Sequence, residues 1–455
     1  MSLFVRVLST LGRLFPRIEF LARHHLRVLW QEAVAGEQAI AADFADLKEA
    51  FEQRFQAWIS NPRVLRELFG GLRAVKPIFV APRLAVVSSY ADVLDALSDD
   101  ESFSVTEIYA AKMQATSGAF ILGMENTPQY QREASILRRA ARREDLPRIR
   151  AFVAECADQL LAAAEPAGRI DAVGGYSRLV PVRLVQHYFG VPGPDEPTLL
   201  RWLQTIFHEI FLNLANDAKI REAAAVSSRE MSAYLNSLIG QRKTEIAGGQ
   251  SLRDDFLTRL LKMQQDPTTA LDDDGIRRNI GGVIAGAVDT TSKAIAHAVD
   301  QLLQRPDALH AAQQAAAADD DPLLAAHVFE ALRFNPQNPI LLRHCRKARV
   351  LGRGTSRETQ IPEGITVCLG TLSAMFDPAD LVAPEEFRVS RPAHHYIHFG
   401  HGMHTCFGEH VNRVQVPEVI KRLLRLKGLR RAPGPEGELQ YDGPFPSKMV
   451  VVFDA

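Results

Sequence analysis

The chain has 455 residues, with 53 Lys and Arg against 54 Asp and Glu, a formal net charge of −1, and 46% hydrophobic and 24% charged side chains. This is the balance of an ordinary globular protein, and it leaves out a disordered chain and a nucleic-acid binder. Its four cysteines (Cys156, Cys345, Cys368, Cys406) form no CxxC pair, which excludes a disulfide framework and a structural zinc site and fits a cytoplasmic location.

In chain order, residues 1–65 are expected to be a helical extension packed on the domain that follows. Their first thirty alternate apolar residues with Arg6, Arg13, Arg17, Arg23 and Arg27, so they hold neither a signal-peptide core nor the ~18 unbroken apolar residues of a membrane span. A basic amphipathic segment could also lie peripherally on an anionic membrane. Helical periodicity follows at 128–143, 148–164, 198–216, 219–246, 252–265, 274–304, 307–316, 323–334 and 409–426, after an earlier run at 37–59. Strands are expected as a hairpin at 77–89 and singly at 365–370 and 448–453. With no linker and no repeat, residues 66–455 read as one mainly α domain with a small β-rich side region.

Segment 274–304, about 45 Å of helix, keeps Gly281, Gly282 and Gly286 in its interior. Each glycine costs ~1 kcal/mol against alanine, so close approach to something flat or a local opening of the helix is expected there. Glu330 and Arg333 are three apart on a helix, the spacing of a surface ion pair.

The stretch "FGHGMHTCFGEH" (399–410) sets one cysteine among glycines, directly before an amphipathic helix. A ligating cysteine must be a thiolate, held by a metal or by N–H donors. Gly400, Gly402 and Gly408 allow backbone N–H groups to converge on Cys406, and the helix N-terminus favours its negative charge. A single sulfur in this setting points either to axial ligation of heme iron or to a buried structural cysteine.

Phe399, Gly402, Cys406 and Gly408 together make F-x-x-G-x-x-x-C-x-G, which resembles the heme-binding loop of the cytochrome P-450 family. The motif "AGAVDTT" around Gly286 is similar to the acid–alcohol motif of that family's long distal helix, and E-x-x-R follows in the right order. The resemblance runs from about residue 70 to the C-terminus and implies the family's fold, helical around heme b (iron protoporphyrin IX), with Cys406 as axial ligand. It implies that Asp289 and Thr290 relay protons to the dioxygen being activated. Without it, Asp289 would read as a partner of Lys293 and Thr290 as bonded to the preceding turn. It also implies that Glu330 and Arg333 are buried behind the cysteine loop and closed by Arg391, and that Arg343 and His404 meet the heme propionates. Several positions depart from the pattern: Tyr130 and Ala134 stand where a His and an Arg bind propionate, Ala287 replaces a glycine, Met375 and Phe376 replace Asn and Arg, and Asn412 replaces Ala.

An apolar pocket is expected from the loop 103–122, segment 202–214 and the distal helix, with Phe103, Ile108, Tyr109, Phe120, Phe207, Phe211, Val283, Ala287 and Leu341 facing a fatty acid, terpenoid or steroid-like substrate. No flavin or iron–sulfur motif is present, so a separate donor, a ferredoxin or flavodoxin with its reductase, is implied, docking on Arg138, Arg142, Lys421, Arg422 and Arg425. Three readings follow: a monooxygenase, a peroxide-driven hydroxylase or hydroperoxide isomerase of the same fold, and a heme protein that binds ligands without turnover.

Overall fold

Aspartate or threonine caps start the long helices. Thr127, Asp195, Asp217, Asp255, Asp272 and Asp320 each accept a backbone N–H two or three residues on, which satisfies donors that the first helical turn leaves open. The structure, a computed structural model, describes residues 62–214, 216–266 and 271–454. Two compact units are found, 1–71 and 72–455; the expected extension over 1–65, its helix at 37–59 and any membrane contact by its arginines fall almost wholly outside the described residues.

Helices Leu146–Ala164, Glu196–Phe207, Ala218–Ala247, Asp273–Ala285, Asp289–Leu303, Asp321–Phe334 and Glu409–Leu424 surround one large apolar core. Glu409–Leu424 packs along Leu146–Ala164, and Glu196–Phe207 along Ala218–Ala247. To one side lies a five-stranded sheet in the order Ile78–Ala81, Leu84–Val87, Thr366–Leu369, Leu341–Cys345, Phe103–Ser104. Its second and third strands pair parallel, the others antiparallel. None of the described helices is long and apolar enough to cross a membrane.

Three elements differ from the periodicity. The helix over 274–304 is two, because the ladder opens at Gly286–Val288: Gly286 N–H reaches the Gly282 carbonyl at only 3.4 Å, and Ala287 bonds three residues back to Ile284. The segment 103–122 is not one loop; Thr106–Ala115 is helical, with an almost even apolar distribution that hid its period. The helix expected to reach residue 216 ends at Asn213 after a wider turn over His208–Leu212.

Candidate active site

The cysteine loop is held in shape by its backbone. Cys406 N–H donates to the Phe399 carbonyl at 2.8 Å. Gly402 has φ +72°, and a Cβ there would run into the Leu97 carbonyl, so only glycine fits. Cys406 as a residue is exposed, while protein surrounds its thiol. Burial pushes this thiol up, the Gly408 N–H pulls it back, and the Glu409 carboxylate adds to the rise. Among the described residues no cluster of three or more His, Cys, Asp or Glu side chains could hold a metal, so metal ligation there would need a group that supplies its own donors.

Arg343, His404 and Tyr130 come to that loop from three elements. Arg343 lies on strand Leu341–Cys345, buried; its Nε has no hydrogen-bond partner among the described residues, and one terminal nitrogen reaches only the Leu342 carbonyl. His404 Nδ1 is also buried without a partner, and burial followed by the positive charge of Arg343 pushes this imidazole down to about 4. Tyr130 donates to the Met403 carbonyl at 3.2 Å, its ring 6.4 Å from that of His404. A buried guanidinium with no hydrogen-bonded carboxylate is costly, and Asp100 and Glu125 act on Arg343 only through space. These orphaned polar atoms beside Cys406 fit heme b, which brings two carboxylates of its own next to its iron.

On the distal helix, Thr290 Oγ1 donates to the Gly286 carbonyl at 2.6 Å, across the opening described above. Asp289 does not pair with Lys293, which turns away to the Pro444 carbonyl. Its Oδ1 lies 3.6 Å from Arg178 Nε and 3.5 Å from Gln204 Nε2. Burial pushes the Asp289 carboxyl up to about 6, with Arg178 holding it back.

Glu330 and Arg333 are fully buried, which replaces the surface ion pair suggested by their spacing alone. Two nitrogens of Arg333 reach the two Glu330 oxygens at 2.9 and 2.8 Å, and Arg391 and Tyr396 add bonds at 3.2 and 3.0 Å. Arg333 also donates to the Met375 main-chain carbonyl and lies 4.3 Å over the Phe376 ring, so the departure at 376 covers the guanidinium with an aromatic face. Asn412 accepts from Thr291 at 3.1 Å, tying the distal helix to the helix after Cys406.

An aromatic row runs from Tyr109 to Phe211 (5.4 Å between ring centroids), Phe207 (5.0 Å) and Phe445 (6.3 Å). Ile108 is half-buried on the helix that carries Tyr109, and Leu341 lies beside Gly400. Phe120 packs on Gly282, with Val283 buried and Ala287 half-buried on the same helix. Phe103 is instead a sheet residue, fully buried and registered opposite Cys345. Sequence reasoning missed Arg178, Gln204 and Phe445, which reach their partners from far along the chain with no motif around them, and Tyr396, which stands three residues before the cysteine-loop motif without being part of it. It also overstated the basic face, since Lys421, Arg422 and Arg425 are tied to Asp319, Asp321, Glu418 and Asp158.

The family model described as Cytochrome P450 matches residues 78–427. The chain is 26% identical over 351 residues to "Vitamin D(3) 25-hydroxylase" of Pseudonocardia autotrophica, which covers 74% of this chain and 79% of that one. It is 28% identical over 317 residues to "Mycinamicin IV hydroxylase/epoxidase" of Micromonospora griseorubida, covering 66% and 70%. The crystal structure of CYP109E1 from Bacillus megaterium in complex with testosterone superposes with a TM-score of 0.71 at 18% identity, over 86% of this chain and 99% of that one.

Proposed function

Because the chain belongs to the cytochrome P450 family, and so is a heme-containing oxidoreductase that uses dioxygen on a hydrophobic molecule, we propose the residues that divide this work. Cys406 ligates the heme iron, while Arg343, His404 and Tyr130 hold the propionate edge. Heme b, when bound, supplies the activation of dioxygen from which one oxygen atom is inserted into a C–H bond. The observation that carries this reading is exposed Cys406 with a buried Arg343 that hydrogen-bonds no carboxylate and an orphaned His404 Nδ1 at the same loop.

Thr290 Oγ1 holds the Gly286 carbonyl beside the opening in the helix, and Asp289, half-ionised near pH 6, supplies protons at this end of the distal helix. Glu330, Arg333, Arg391 and Tyr396 position the loop and touch no substrate. The aromatic row excludes water and binds a fatty acid, terpenoid or steroid-like molecule; relatives named as a vitamin D(3) 25-hydroxylase and a mycinamicin IV hydroxylase/epoxidase support a bulky apolar substrate. Electrons come from a separate acidic ferredoxin or flavodoxin docked by exposed Arg138 and Arg139.

The ferrous carbon monoxide adduct tests the ligand. Thiolate-type absorption is expected, converting to the histidine type in Cys406→His; histidine-type absorption in the unaltered protein would sink the assignment. Thr290→Ala tests the relay: product formed per dioxygen consumed is expected to fall by about an order of magnitude or more, and unchanged coupling refutes it in favour of a peroxide-driven route.

A further inference from the structure

Past the acid–alcohol pair, the distal helix keeps a cation for which the fold supplies no anion. Over residues 288–302 only Thr290 and Lys293 are half-buried, and every other residue is buried. The two are three apart on helix Asp289–Leu303 and so are neighbours on one face. The surface that this helix leaves uncovered therefore runs from the oxygen-activating residue to the lysine. Lys293 Nζ makes one long hydrogen bond, 3.3 Å to the Pro444 carbonyl, and pairs with no carboxylate among the described residues. Burial alone pushes this amine down to about 8, and no acidic group holds it up. His297, one turn on, is already spent: its Nδ1 donates to the Asn335 carbonyl at 3.0 Å, its Nε2 accepts from Tyr441 at 3.0 Å, and burial followed by the charge of Lys293 keeps the ring neutral. Phe445, next in the chain to Pro444, ends the aromatic row that begins at Tyr109, so an apolar wall leads to the ammonium.

Resting on the site reading above, we propose that Lys293 binds a carboxylate of the substrate, which is therefore an apolar acid held with its body along the aromatic row and its acid end at this lysine. A cation enclosed by protein without a partner is costly, and of the three donors of an ammonium the Pro444 carbonyl uses one. A ligand carboxylate supplies both the missing charge and the missing acceptors, whereas a neutral terpenoid or sterol supplies neither. Holding the hairpin over residues 440–448 against the helix does not require this charge, because Arg178 already donates to the Pro446 carbonyl at 2.8 Å and Tyr441 to His297.

Optical titration of the holoenzyme with imidazol-1-yl alkanoic acids of increasing chain length, each against its primary amide, tests this, since the imidazole takes the iron and only the far end differs. The acid is expected to bind about tenfold more tightly than the amide at the chain length that reaches Lys293. Lys293→Met removes that preference while the affinity for imidazole itself changes less than about twofold. Because the substitution also removes a buried, unpaired charge, the ligand-free Lys293→Met holoenzyme should unfold at a higher temperature than the unaltered protein; a lysine needed to pin the hairpin would give the opposite. Equal binding of acid and amide at every chain length in the unaltered protein, a preference that survives Lys293→Met, or a lower unfolding temperature of that variant overturns the proposal. An unaltered protein that shows no spectral response to imidazole overturns the heme-site reading and this inference with it, and so separates the two failures.

Discussion

Asp289 is a carboxyl that the fold keeps at a cost. Its pKa of about 6 lies above that of an unfolded aspartate, because burial outweighs the attraction of Arg178. The native state therefore holds more protons than the unfolded chain between about pH 4 and pH 6, and stability falls as pH rises through that window, by on the order of 3 kcal/mol once both states are ionised. Asp289→Asn is expected to raise the midpoint of thermal unfolding at pH 7.5, to leave it unchanged near pH 4, and to lower proton delivery at every pH. Arg178→Gln removes the opposing charge, so the limb of the coupling profile governed by Asp289 should move to higher pH, read as product per dioxygen consumed. The motif around Gly286 made Asp289 and Thr290 legible from sequence. Arg178 was not, because an ion pair between residues 111 apart leaves no spacing to read.

At the level of elements, the clearest case is the pair three apart on helix Asp321–Phe334. Spacing alone suits a solvated pair of small worth, whereas the structure encloses it with Arg391, Tyr396 and the Phe376 ring. Glu330→Ala leaves two guanidinium groups buried without their acceptor and is expected to destabilise by roughly 3–5 kcal/mol, measured by denaturant unfolding, with loss of heme retention before loss of helical signal. The distal helix was legible as one long period and is two pieces, since glycine content tells where a helix is weak but not whether it breaks or is approached. Both happen, at Gly286 and at Gly282. Helix Thr106–Ala115 stayed hidden because its buried face is supplied mainly by Met113, with polar and small residues all round.

For the whole molecule, charge is the readable quantity and pairing is the unreadable one. Of the cations expected to receive an electron donor, Lys421, Arg422 and Arg425 spend their charge on neighbouring carboxylates and Arg142 lies 3.7 Å from Asp254, while Arg138 remains exposed, beside the equally exposed Arg139. Arg138→Glu together with Arg139→Glu is expected to slow reduction by an acidic donor about tenfold at low ionic strength and less at high salt. Turnover supported by peroxide in place of the donor should be unaffected.

The parallel pairing of Leu84–Val87 with Thr366–Leu369 joins stretches about 280 residues apart, and Val450–Val452 closes on Arg169–Asp171 across a similar span. During synthesis the early hairpin must wait, with one edge open, until most of the polypeptide has left the ribosome. Nascent chains stalled before residue 366 should therefore expose that edge to chaperones and proteases, and protection should appear in a single late step rather than growing with length.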